Sequence, residues 1–253
     1  MTHAQRKHSR ALQSALTLAL LVCSTFASAE PSLAGMWMPA PELAANWLDG
    51  KPQLTTEAAA LARDYDPRRS DSTLFCMPRG TPRNTLSTAP APLEILQRAE
   101  QITLIFDGRG DVRRFFLDGR PHPQEPVPNW LGHSTAKWQG EELLVDTVAL
   151  SAESRLDDSG LPHSEGLHLS ERWRLTTRQG ETLLEVALTL EDAASYTKPL
   201  RTTRYFRRAP QATMSEASAY CLLDQWRGYL EKHNKELSVH LRKGTQPERG
   251  TRR

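Results

Sequence analysis

The chain has 253 residues, with 32 Lys+Arg against 30 Asp+Glu, 3 Cys and a sequence pI near 8.5. Three of the 32 basic residues (Arg6, Lys7 and Arg10) and none of the 30 acidic ones lie in the first 29 positions, so beyond them the balance is 29 to 30. That near-neutral remainder excludes the strongly basic balance of a nucleic-acid binder, and its length, about 224 of the 253 residues, suits one domain with a real core rather than two.

Taken in chain order, the basic start is followed by an apolar run from Leu12 to Phe26 and by Ala27-Ser28-Ala29, the layout of an export signal cleaved after Ala29. Residues 1–29 are therefore expected to be removed, leaving a periplasmic or secreted protein. The run is too short and too interrupted by Ser and Thr for a membrane span, and Val22 before Cys23 is not the small residue of a lipidation site. No stable membrane anchor is expected. Cleavage would leave Cys76 and Cys221, and two thiols in an oxidising compartment pair readily. Two separate buried thiols are the alternative.

Residues 30–93 hold "LAGMW", a short apolar opening strand, and "LTTEAAALARDY", whose threonines cap an alanine-rich helix. They continue into "STLFCMPRGTPRNTLSTAPAPLEIL", where Pro78, Pro82, Pro90 and Pro92 remove backbone donors, rule out a central strand and speak for an ordered loop. Residues 94–208 then become regular. "QITLIF" and "DVRRFFLD" flank "DGRGD", "TAKW" and "EELLVDTV" flank "QG", and "GLHLSERWRLTT" and "TLLEVALTL" flank "RQGE", which makes three hairpins turning on glycine. "LRTTRYFRR" adds a strand after Lys198-Pro199. About eight or nine strands with short turns predict a mainly β domain, an antiparallel meander curling into a barrel (a calycin-like one included) or a sandwich. Residues 209–240 carry apolar residues at helical spacing behind a Thr213/Glu216 capping box and predict a C-terminal helix. The tail 241–253 lacks the apolar content to fold.

Several blocks occur together and in order: "CMPRGTPR", "RRFFLDGRPHP", "NWLGHSTAKWQGEELLVDTV", "LDDSGLPHSEGLHLSERWR" and "YTKPL". Over about residues 32–207 the chain resembles an uncharacterised family of exported bacterial proteins with runs such as C-x-P-x-G-x-P-R, D-G-R-x-H-P, H-S-x-x-L-H-x-x-E-R and Y-T-K-P. The resemblance implies an exported β-rich domain. That family usually ends with a cysteine in a short acidic stretch, whereas Cys221 lies in a longer helix-like segment.

The sharpest site candidate is Glu171. It shares strand parity with Leu167, Leu169, Trp173 and Leu175, so it sits in an apolar row. A carboxylate desolvated there could serve as a general acid or base, or be held in an internal ion pair with an arginine. Asp146, with the parity of Leu144 and Val148, repeats the pattern and could approach it from a neighbouring hairpin, with His163 joining from the loop before the strand. His168 and Glu171 point to opposite faces, against one metal site. His122, His133 and His163 at one rim are the remaining metal arrangement. Ser134 beside His133 lacks the strand–turn–helix of a nucleophile elbow. Two readings follow. One is a binder of a small organic ligand at the barrel mouth, through Trp130, His133, His168, Arg172 and Tyr196. The other is an acid/base enzyme on a small substrate, through Glu171, Asp146 and His163. Neither calls for a cofactor, a metal or a nucleic acid.

Overall fold

The computed structural model describes residues 30–44, 47–75, 77–87, 92–107 and 111–210, and every element below lies in the compact unit Pro31–Arg253. The expected leader, Cys76, Cys221, the C-terminal helix and the tail fall outside the described residues. Nine strands form a closed barrel in sequence order. They are β1 (Gly35–Pro39), β2 (Leu93–Gln97), β3 (Gln101–Phe106), β4 (Asp111–Phe116), β5 (His133–Gln139), β6 (Glu142–Val148), β7 (His168–Arg178), β8 (Glu181–Glu191) and β9 (Leu200–Arg208). The alternative of an open sandwich is thereby settled in favour of a barrel.

Closure runs through β1, which pairs with β2 on one side (Trp37↔Leu93) and β9 on the other (Trp37↔Arg208). The three glycine hairpins are present as β3/β4, β5/β6 and β7/β8. In the last of these, Gln179 and Gly180 both have positive φ (51° and 81°), the two-residue turn whose twist suits a hairpin. Two expectations are corrected. β2 begins immediately after Pro92, because the proline has no donor to give but imposes nothing on Leu93–Gln97 beyond it. The meander is also not wholly antiparallel: β4 and β5 run parallel and share only two registered pairs, Phe115↔Ser134 and Phe116↔Thr135. The chain between them, 117–132, is a crossover connection and not a tight turn.

The expected helix is α1 (Thr56–Arg63), with the Thr55 hydroxyl accepting from Ala58 N at 3.3 Å. One further turn, α2 (Arg83–Leu86), interrupts the proline-rich stretch. Gly80 (φ +76°) is required there: a Cβ would stand 2.6 Å from the Trp130 carbonyl, which accepts from Thr81 N at 2.8 Å. Arg83, buried, binds Asp71 through both terminal nitrogens (3.0 and 2.7 Å) and Asp158 through Nε (3.0 Å), tying three loops together.

Inward residues fill the barrel: Trp37, Ile95, Leu104, Phe115, Val145, Leu169, Trp173, Val186, Leu188 and Phe206 are all buried. Glu171, 2 % exposed, lies among them and meets Arg113, 1 % exposed. Arg113 Nη1 donates to Glu171 Oε1 at 3.1 Å, Nη2 donates to Glu171 Oε2 and to Thr147 Oγ1 (2.8 Å), and Nε donates to Ser134 Oγ (3.3 Å). Ser134 is thus an inward partner of Arg113, not a nucleophile beside His133. The guanidinium also lies 4.7 Å from the Phe115 ring centre, and Phe115 packs edge-on against Trp173.

Because one partner cannot be neutralised without stranding the other, Glu171→Gln is expected to destabilise the fold by about 3–5 kcal/mol. For a domain of this size that is a fall in Tm of roughly 6–20 °C. The double variant Arg113→Met with Glu171→Leu should recover most of it, and thermal unfolding of the three proteins checks both statements. A single variant as stable as wild type would show that the pair is not desolvated.

Candidate functional site

A groove opens where β4 and β5 part company. After Phe116 the chain leaves the sheet, while β5 continues through Ala136–Gln139 beside β6 and β7. The resulting hollow of about 490 Å³ lies on the outside of the barrel. Its outward lining is Phe116, Arg120, Lys137, Leu144, Asp146 and Arg172. The floor is apolar and the edge charged. Arg120 lies over the Phe116 ring at 4.1 Å and is held by Asp118 through Nε at 2.8 Å, and Arg172 approaches Glu142 at 3.7 Å. Among the described residues Lys137 has no ion-pair partner.

A chain of titratable side chains runs alongside. His133 Nδ1 lies 2.8 Å from His122 Nδ1, and His122 Nε2 lies 3.1 Å from Asp146 Oδ2. His168 Nε2 bonds the other Asp146 oxygen, and its Nδ1 is 3.4 Å from Glu191. Strand parity and register assemble this set: His133 pairs with Val148, Asp146 with Ser170 and His168 with Glu191, so the three side chains share the outer surface at one rim. His133 stacks on Phe116 (5.4 Å), which joins the chain to the groove. Partial burial, His122 and the Arg120 cation all hold the His133 imidazole below its ordinary pKa.

Of the three residues expected to act together, none meets another. Glu171 is inward, and Asp146 is outward because Val145, not Asp146, is opposite Glu171. The apolar row of Leu144 and Val148 is the outer face of β6, and the inner one is Leu143, Val145 and Thr147. His163 is elsewhere again. It is buried in the loop before β7, with Nδ1 2.9 Å from the Ser164 carbonyl and Nε2 2.7 Å from Ser154 Oγ. Of the rim histidines considered for a metal, His122 and His133 meet and His163 does not join them.

Among the residues assigned to ligand binding, Arg172 lines the groove, while His133 and His168 stand beside it, in contact with its lining residues Phe116 and Asp146. Tyr196 does not: its buried hydroxyl donates to the Pro162 carbonyl at 2.6 Å. Trp130 contributes its carbonyl to the Gly80 turn. Lys137 and Arg120 escaped sequence reasoning, although Lys137 shares the parity of His133, and His122 entered only as a metal ligand.

No family model matches the chain, and no curated protein matches it. Among solved structures it is similar to a mutant of the REP1-NXSQ fatty acid transporter at 13 % identity, covering 70 % of this chain and 98 % of that one, with a TM-score of 0.33. It is likewise similar to human cRBP IV at 14 % identity, covering 71 % of this chain and 99 % of that one, with a TM-score of 0.30. Likenesses so remote bear on neither ligand nor activity.

Burial lowers the pKa of His163, outweighing the Ser164 carbonyl and the Asp192 charge that favour its protonated form. The folded state then binds this proton more weakly than the unfolded chain, so the stability concerned is present above the ordinary value of 6.5 and is lost as pH falls below it. Urea unfolding from about pH 7.5 down to about 5.5, a window spanning the ordinary histidine value, should show wild type losing stability and His163→Gln losing less. Parallel losses in the two proteins would remove His163 as the source.

Proposed function

We propose that this barrel binds a small organic anion, and that it does so in the external groove over β5–β7 and not in its interior. The observation that carries the reading is Lys137, a cation without a counter-charge among the described residues, set with Arg172 beside the apolar surface of Phe116 and Leu144. Two cations at an apolar hollow suit a molecule with a carboxylate at one end and an apolar body. The interior supports the same placement, since its inward positions are taken by large apolar side chains, by the Arg113–Glu171 pair and by Arg204, which lies opposite Val186 and donates to Thr202 Oγ1. The leader-like segment at 1–29 supports an exported location for this activity.

A panel of aliphatic and aromatic carboxylates, screened by saturation-transfer NMR on the full chain, tests the reading. Binding is expected to weaken by about tenfold or more in Lys137→Glu, the loss of a charge-assisted contact, and to be unchanged in the interior variant Leu188→Met. No binding by any carboxylate, or binding indifferent to Lys137 and sensitive to Leu188, would overturn it.

A further inference from the structure

The contacts around Asp146 decide where protons sit on two histidines. An ionised carboxylate only accepts hydrogen bonds, so the His122 nitrogen facing Asp146 Oδ2 at 3.1 Å must carry the hydrogen, and His122 is the Nε2–H tautomer. Its Nδ1 is then a lone pair. The nitrogen 2.8 Å away, His133 Nδ1, must be the donor of that bond. A neutral imidazole has one N–H, which leaves His133 Nε2 unprotonated, and no hydrogen-bond partner meets it among the described residues. The other described histidines have both ring nitrogens engaged: His122 as above, His163 by Ser154 and Ser164, and His168 by Asp146 and Glu191.

We propose that His133 is a general base for the molecule bound in the groove, with His122 and Asp146 as the positioning residues that keep its Nε2 free of a proton. This rests on the groove being the binding site. The step balances without a further reactant. An O–H or acidic C–H of the bound anion gives its proton to His133 Nε2, and the bonding electron pair stays on the oxygen or carbon. The proton on His133 Nδ1 passes to His122 Nδ1, so the positive charge comes to rest on His122 against the Asp146 carboxylate. The substrate class is accordingly an organic anion bearing an ionisable O–H or C–H, its developing charge facing Lys137 and Arg172. The charged and titratable groups around the relay are Arg120 and His122 from 117–132, Asp146 from β6, His168 from β7 and Glu191 from β8. Partial burial, His122 and Arg120 all disfavour a proton on His133.

Two measurements on the full chain test this. Long-range 1H–15N correlation of the imidazoles at about pH 7.5, above the ordinary histidine value, should show His122 as the Nε2–H and His133 as the Nδ1–H tautomer. Diethyl pyrocarbonate then reads the free nitrogen: Nε2 attacks its carbonyl carbon, an N–C bond forms, a C–O bond breaks and ethyl carbonate leaves. His133 should be labelled about tenfold faster than His122 or His168, the bias a charge-assisted hydrogen bond imposes. In Asp146→Ala, whose side chain lies outside the core, that ratio should fall to near one as His122 Nε2 keeps only the Thr135 hydroxyl, 3.4 Å away. The opposite tautomers in wild type, or His122 labelled as fast as His133, would overturn the relay. The two readings fail separately. The expected tautomers in a wild-type protein that binds no carboxylate overturn the groove and leave the proton positions standing, whereas the opposite tautomers in a protein whose carboxylate binding is lost in Lys137→Glu remove the base and keep the groove.

Discussion

The ion pair between Arg113 and Glu171 settles what kind of barrel this is. Both side chains come from strands that would otherwise line a hollow, and together with Ser134 and Thr147 they form a polar knot in an apolar interior. Desolvating two charges is tolerable only when each completes the other, so neither strand can shift register without stranding a charge. β4 and β7, which do not pair with one another, are thereby fixed across the barrel. The interior at this level is thus occupied by a structural ion pair.

The external groove owes its shape to the same strands. The side chains of β6 alternate between Leu143, Val145 and Thr147 facing the knot and Leu144 and Asp146 facing the groove, so one strand serves the core and the site with neighbouring residues. A shift of one residue would exchange the two faces and lose both at once. The rim loops answer to a second buried cation, Arg83, whose two aspartates sit on separate loops, and Arg83 holds the Asp71 carboxyl well below its usual range against the burial that raises it.

The strands were legible because their periodicity is local. Leu167 to Leu175 showed its inner row, with Glu171 as the exception, and the ion-pair alternative for that residue is what the barrel contains. Asp146 was misplaced for a physical reason: "ELLVDTV" has apolar residues at both parities, and only its pairing with β7 tells which row faces in. Register is non-local, and so is the meeting of His122 with His133, since 117–132 carries no periodicity that would return it to the sheet. β2 was hidden by the prolines before it, which forbid pairing at their own positions and say nothing about the next residue.

The two-pair seam between β4 and β5 gives the barrel an uneven resistance to opening. Every other junction between consecutive strands is laced by a longer ladder, eleven registered pairs in the case of β7 with β8, whereas here two pairs complete the ring. Amide protons along this junction would exchange with solvent sooner than those of β7 and β8, because the cheapest excursion from the native state is a hinge at the seam and not a global unfolding. The groove and the histidine chain border that seam, so the proposed site lies next to the most sparsely laced junction of the ring.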